Sequence, residues 1–402
     1  MTVISETVAR RIVFGAGALA TLPAELAGLG LGRPLVIAGR SQASHVEGLL
    51  AAVGAGGSII GVRVHVPAGL ADDARAKALE LGADCLVSIG GGSAVGLAKA
   101  VALTQGLPIA AVPTTYAGSE LTVVWGMTED GRKTTGRNPS VAPRLVVYDP
   151  ELTYDLPAGV TAASGMNAVA HCVEALWGPA ATPLTDLAAS DGLRRLALGI
   201  RASLRTPRDP EARATALTGA WLAGEAFAAG GALHHKLCHV LGGMFDLPHA
   251  ELHAALLPYT AAFLLPAAPE AGRRIAAALD ADEPAAAIVA LARDVGTPKS
   301  LAALGLTEDD AVRAAAVAAP DVPEHPRRPT PASAELSRGL SAKSTGSPGA
   351  GRHSGNQTTP GSTRSKPAKN RSTSVRARGR NGVVVCRSYV SRTNSRSLSS
   401  TF

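Results

Sequence analysis

Imidazoles crowd one stretch of this chain. His234, His235, His239 and His249 fall within sixteen positions, with Lys236 and Cys238 among them and Glu251 just beyond. An imidazole titrates near neutrality, so such a cluster can hold a metal, move a proton or quench a developing negative charge. His235 and His239 are four apart and share one face of a helix. Gly242-Gly243 and Pro248 are expected to break that helix and bring His249 in from the far side of a turn. Upstream, Asn167 and His171 repeat the four-residue spacing. His234 points to another helix face and is the histidine expected to be a packed spectator. His253 is expected at the edge of the site, and His45, His65 and His325 at the surface. Cys172 and Cys238 lie in apolar helical runs, where a thiol packs as a small buried group and lacks the exposure a nucleophile needs.

A second chemical feature comes earlier. Gly90-Gly91-Gly92-Ser93 follows an apolar run and opens a helical pattern. Bare glycine backbone at a strand-to-helix turn lets a phosphate approach closely, and the free N–H groups and dipole of the helix favour the anion. Pro113-Thr114-Thr115-Tyr116-Ala117-Gly118-Ser119-Glu120 follows the next apolar run, which puts its hydroxyls at the carboxyl end of a sheet, where open α/β sheets bind ligands.

The elements that must carry these residues are legible in the periodicity. Apolar runs at 11–17, closing on a glycine turn, and at 34–39, 58–66, 85–89, 108–112 and 145–150 read as strands. They alternate with helical segments at 18–29, 44–53, 72–81 and 94–104, a pattern of βαβ units and a parallel sheet. From 162 to about 304 nearly everything has helical period, for example 163–177, 185–203, 211–229 and 252–265. The reading is a Rossmann-like α/β domain over 1–155, an all-α domain over 156–325 and a Ser/Arg-rich tail over 326–402.

The formal charge of +7 belongs to that tail. Residues 331–402 hold thirteen Lys/Arg and one acid, Glu335, so the first 330 residues are mildly acidic at −5. The tail has lost all periodicity, and its composition is that of a disordered segment. We expect a reading-frame change near 320–335. The residues 1–11 are polar and resemble no signal peptide, no apolar run reaches transmembrane length, and four cysteines without paired spacing suit a reducing compartment. A cytoplasmic location is expected.

Several of these motifs together resemble the iron-containing alcohol dehydrogenase superfamily: the GGGS turn with Lys99, the Pro-Thr-Thr loop, Asp149-Pro150-Glu151-Leu152, and the His-x3-His block ending in His249-Ala250. Within it, Ser164-Gly165-Met166-Asn167-Ala168-Val169-Ala170-His171-Cys172-Val173-Glu174-Ala175-Leu176 and the segment 234–243 resemble the maleylacetate reductase branch. The resemblance spans about 3–320. It implies the superfamily's architecture, an α/β domain followed by a helical one, and NADH or NADPH as cofactor. By similarity Gly91, Gly92 and Ser93 would hold the pyrophosphate, Thr114, Thr115 and Ser119 would line the nucleotide, and Lys133 would approach the nicotinamide ribose. Relatives often place an Asp after the second strand; here Gly39-Arg40-Ser41 stands instead, and an Arg without an acid tolerates a 2′-phosphate.

Metal-dependent relatives use an Asp and three His, and the matching positions are Asn167, His171, His235 and His249. The neutral Asn weakens a divalent site, so a metal-independent enzyme is expected. The implied reaction is reduction of the conjugated alkene of maleylacetate, a small dicarboxylate, to 3-oxoadipate in aromatic degradation. His171, His235, His239 and His249 would stabilise and protonate the enolate, and Lys236 and Arg137 would pair with the carboxylates. A homodimer is expected, with no membrane and no specific nucleic-acid partner. The alternatives are a metal-dependent alcohol or glycerol-type dehydrogenase of the same fold, and an inactive body whose basic tail binds nucleic acid.

Overall fold

Short runs of buried aliphatic residues build one six-stranded parallel sheet. The computed structural model describes residues 8–318, apart from positions 65, 130, 131 and 299 and the side chains of residues 132 and 133. The strands are β1 (Arg11–Phe14), β2 (Pro34–Ala38), β3 (Gly57–Ile60), β4 (Cys85–Gly90), β5 (Ile109–Pro113) and, after a separate hairpin of β6 (Val124–Glu129) and β7 (Arg132–Arg137), β8 (Leu145–Tyr148). The sheet order is β1-β8-β5-β4-β2-β3. β2, β4, β5 and β8 are buried along their whole length. Helices cover both faces of such strands, so they read as continuous apolar runs rather than alternations.

The period of two nevertheless sorts their side chains. Val36 and Ala38 pack on one face with Leu22, Leu26, Val46 and Leu49, from α1 (Leu22–Gly28) and α2 (Ala43–Val53). Leu35 and Ile37 pack on the other, with Ala71, Ala74, Leu97 and Val101 from α3 (Ala68–Leu81) and α4 (Gly92–Gln105). The chain leaves β2 toward β3 on one side and returns to β4 on the other. This reversal opens a crevice at the carboxyl ends of β2 and β4, where doubly wound sheets bind ligands.

The helices that follow are α5 (Ala158–Ala175), α6 (Pro183–Arg205), α7 (Pro210–Ala226), α8 (Leu233–Phe245), α9 (His249–Leu264), α10 (Pro269–Ala278), α11 (Pro284–Asp294) and α12 (Glu308–Ala318). Every residue of α5 from Thr161 to Ala175 is buried, which makes it the axis of the helical half. Its apolar residues share one core with α6, α7, α8 and α9 and with Val146 and Tyr148 of β8. Among the described residues, no helix is long and apolar enough to cross a membrane.

Two local expectations are corrected. The apolar run 58–66 forms a strand only as far as Ile60. Gly242-Gly243 does not break α8, which continues to Phe245; Asp246, at φ 50°, ends it in the left-handed conformation. The hairpin β6–β7, paired from Val124↔Arg137 to Glu129↔Arg132, was not read from the sequence. The tail, and with it the expected reading-frame change and His325, lies outside the described residues, as does His65.

The loop into the hairpin is held by a buried cation. Lys99 Nζ on α4 donates to the carbonyls of Ser119 (2.7 Å), Thr122 (2.7 Å) and Val124 (2.8 Å) and to Thr122 Oγ1 (2.9 Å). Burial pulls its pKa down to about 7, with Glu120 opposing. Four oxygen acceptors around one nitrogen favour the ammonium, so we read it as charged. Lys99→Met is therefore expected to strand these carbonyls and destabilise the protein by about 3 kcal/mol. Urea denaturation measures this; a midpoint equal to that of the unsubstituted protein would show that water can replace the ammonium.

Candidate active site

At the crevice, β4 turns directly into α4. Gly90 has φ +152°, and a Cβ there would lie 3.0 Å from that of Ala94. Only glycine makes this turn without strain. Gly91 is the N-cap of α4 and offers no side chain to the first N–H groups of the helix. Those donors stay available to an anion. Thr114 and Thr115 leave β5 beside this turn, and Gly118 (φ +76°) brings the next loop against α5, so close that a Cβ would lie 3.2 Å from His171 Nδ1. Asp149, after β8, accepts from the N–H groups of Gly17 (3.1 Å) and Leu19 (3.0 Å) and fixes the first turn of the chain against the sheet end.

One cleft of about 1780 Å³ runs from this turn to the histidines. That exceeds the usual small-ligand pocket and suits a dinucleotide with a second ligand. Gly91, Gly92 and Ser93 line it, as do Thr114, Thr115 and Ser119. At the helical end the wall is formed by Asn167, His171, His235, His239 and His249, with Lys236 on α8 and Arg137 from β7. Of the candidate site residues only Lys133, whose side chain is outside the described set, is not placed. His45 is no plain surface residue: α2 begins just after the crevice, and His45 forms part of the cleft wall.

The histidine cluster is organised by a residue that was not singled out from the sequence. Glu174, fully buried on α5 one turn beyond His171, faces the N-terminus of α8. Its Oε1 accepts from the N–H groups of Ala232 (3.0 Å) and His234 (2.9 Å). Its Oε2 accepts from the His235 N–H (3.2 Å) and from His235 Nδ1. Burial pushes this carboxyl up, but His235, His234 and the backbone donors together hold it below the ordinary value. It is thus a carboxylate that caps α8 and fixes His235 as the Nδ1–H tautomer, leaving Nε2 as the lone-pair atom. His171 stacks on His235 with ring centroids 5.0 Å apart and packs against Phe227 at 4.5 Å. Burial, then the neighbouring histidines, keep His171 neutral, with its pKa well below the usual imidazole range.

A further pair of histidines lies behind this wall. His234 and His253 are fully buried and outside the cleft lining. His234 is packed and hydrogen-bonded away from the cleft, as expected, whereas His253 lies behind the wall rather than at its edge: His234 Nε2 meets His253 Nδ1 at 2.8 Å, and His253 Nε2 meets His249 Nε2 at 3.2 Å. Burial lowers both, His234 to about 3. Cys172 and Cys238 are buried, and burial pushes both thiols well up, so neither offers a thiolate.

Asn167 Oδ1, His171 Nδ1 and His235 Nε2 are buried without a hydrogen-bond partner among the described residues. Such atoms call for a ligand. They fit a cation, a water or a polar substrate group as neutral donors. Among the described residues the His/Cys/Asp/Glu trio whose ligand atoms all lie within 4.8 Å is instead His234, Cys238 and His253. Hydrogen bonding among these groups accounts for that proximity. His171, His235 and His249 are spread more widely.

Two family models match nearly the whole described chain: "Iron-containing alcohol dehydrogenase" over residues 9–150 and "Fe-containing alcohol dehydrogenase family, C-terminal" over 161–336. The chain belongs to the iron-containing alcohol dehydrogenase family. Its curated relatives include a maleylacetate reductase of Sphingobium indicum, 46% identical over 330 residues, which are 81% of this chain and 94% of that protein. Maleylacetate reductase 2 of Cupriavidus pinatubonensis is 48% identical over 301 residues, 73% of this chain and 84% of that one. The crystal structure of maleylacetate reductase from Agrobacterium tumefaciens superposes with a TM-score of 0.81 at 40% identity, covering 85% of this chain and 98% of that one. The family match ends at residue 336, in the stretch where the composition turns basic.

Proposed function

We propose that this protein reduces the conjugated C=C of maleylacetate to 3-oxoadipate with NADH or NADPH. One observation carries the reading: the glycine turn and the imidazole cluster open onto a single cleft, in a chain 46% identical to a maleylacetate reductase over 94% of that protein's length. The nucleotide's diphosphate would lie at the N-terminus of α4, and its dihydropyridine would face the α5 and α8 histidines. Hydride adds to the alkene carbon β to the ketone; the alkene's electron pair moves onto the ketone oxygen as an enolate. A proton then arrives at the α carbon. Arg137 and Lys236, which line the same cleft, would pair with the two carboxylates. His239, one helical turn beyond His235, is the imidazole we assign to proton delivery.

Asn167, His171, His235 and His249 are the residues that would hold a divalent cation, which would polarise the ketone oxygen. All four donors are neutral, and an enolate needs less stabilisation than an alkoxide. Activity is therefore expected to persist after dialysis against EDTA; loss in EDTA with recovery on Fe²⁺ or Zn²⁺ would make the cation essential.

The cofactor side makes its own prediction. Gly39, Ser41 and Gln42 line the cleft after β2, with Arg40 beside them and no acid. NADPH is expected to support kcat/KM within about tenfold of NADH, because no carboxylate repels the 2′-phosphate. Steady-state kinetics with both nucleotides decide it; turnover with NADH alone would contradict it.

A further inference from the structure

The buried histidines behind the cleft end on a hydroxyl. Thr260 on α9 is fully buried, and its Oγ1 lies 3.1 Å from the carbonyl of Leu257 and 3.3 Å from that of Leu256. A threonine in mid-helix gives its single proton to such a carbonyl. The same Oγ1 lies 3.0 Å from His234 Nδ1. With its proton spent on the helix, Thr260 can only accept there, so His234 carries its proton on Nδ1. His234 Nε2 is then an acceptor, and the 2.8 Å contact requires His253 to donate from Nδ1. Cys238 Sγ, 3.8 Å from the same His234 Nε2, agrees in sense, since a thiol donates weakly to a lone pair. His253 Nε2 is in turn an acceptor, and the 3.2 Å contact requires His249 to donate from Nε2.

We propose that Thr260, His234 and His253 are positioning residues that hold His249 in its Nε2–H tautomer and leave Nδ1 as its lone-pair atom. The inference rests on the reading of His249 as a site residue. Its consequence is specific. Glu174 sets His235 in the opposite tautomer, Nδ1–H with Nε2 bare, so each of these two imidazoles of the cleft keeps one acceptor nitrogen. The lone-pair nitrogens, Nε2 of His235 and Nδ1 of His249, accept a polar hydrogen or a cation and do not donate to the enolate. The chain is closed at Thr260 and carries no proton onward to solvent. It is a lock on one ring rather than a wire.

The test uses the full chain labelled with 15N-histidine. Long-range 1H–15N correlation identifies which ring nitrogens bear protons, and His249→Gln assigns the His249 signals. The expected result is a protonated Nε2 and a bare Nδ1 on His249 in the unsubstituted protein. Thr260→Ser keeps that pattern. Thr260→Val, of nearly equal shape, removes the acceptor and should give mixed tautomers at His249, with kcat on maleylacetate down about tenfold and KM for the nucleotide unchanged. A proton on His249 Nδ1 in the unsubstituted protein, or identical His249 patterns in the Ser and Val variants, would overturn the proposal. If the nitrogen pattern is as expected while maleylacetate is not turned over at all, the functional reading fails and the lock stands.

Discussion

Glu174→Gln is expected to lower turnover about 100-fold and stability by about 3 kcal/mol. The carboxylate accepts three backbone N–H groups and one imidazole N–H, and every one of these partners is buried. Gln keeps one oxygen and replaces the other with an NH2 group that points a donor at donors. Whichever way the amide turns, either the α8 N-terminus or His235 loses its acceptor. If the amide oxygen turns to the backbone, His235 is free to flip its tautomer, and its Nε2 lone pair is lost to the cleft. The loss of a charge that complements the helix dipole adds to the cost. Circular dichroism and urea denaturation report the stability, and NADH oxidation reports the activity. Glu174→Asp, whose shorter arm cannot span the same groups, should fall between. A Gln variant with unchanged turnover and unchanged urea midpoint would remove Glu174 from the account.

Acidification should destabilise the protein well above the pH at which carboxylates protonate. His171, His234 and His253 are buried neutral, and burial is the largest cause of the lowered pKa in each. In the unfolded chain each titrates near 6.5. Below that pH the unfolded state binds protons that the native state does not, so stability is intact above about 6.5 and falls as the pH drops toward the folded pKa values. Each group contributes about 1.4 kcal/mol per pH unit, so three groups cost up to ~6 kcal/mol between pH 6.5 and 5. That is comparable to the whole stability of many domains, about 5–15 kcal/mol. The urea midpoint should therefore be flat from pH 8 to 7 and drop sharply by pH 5. A midpoint equal at pH 8 and pH 5 would mean that these imidazoles take up protons without unfolding.

Much of the frame was readable because buried parallel strands are short, uninterrupted apolar runs. Leu35-Val36-Ile37 and Leu145-Val146-Val147 admit few other readings. The hairpin β6–β7 was missed although Asp130-Gly131, a strong turn dipeptide, stands between its strands. Thr128 and Glu129 on one side and Thr134 and Thr135 on the other are polar, and no apolar alternation announces them. Arg137 was named from the sequence, but its route into the cleft runs through that hairpin. The Gly242-Gly243 step looked like a helix stop on composition. It is tolerated because α8 is held from its N-terminus by Glu174 and along its length by α9. The acceptor role of Glu174 was beyond sequence reasoning for a different reason. One acid in an apolar helix three residues after His171 was a hint, yet its partners are sixty residues on, and only the packing of α5 against α8 brings them together. His253 and Thr260 lie four and eleven residues past His249, at helical spacings that fit core packing equally well.

The measurement that bears most directly on the proposed activity is NADH consumption with purified protein and maleylacetate, with the product identified by mass spectrometry. Stoichiometric NADH oxidation yielding 3-oxoadipate, with short-chain alcohols and glycerol giving no reduction of NAD⁺, is the predicted result. Alcohol oxidation by a protein that leaves maleylacetate untouched would contradict it.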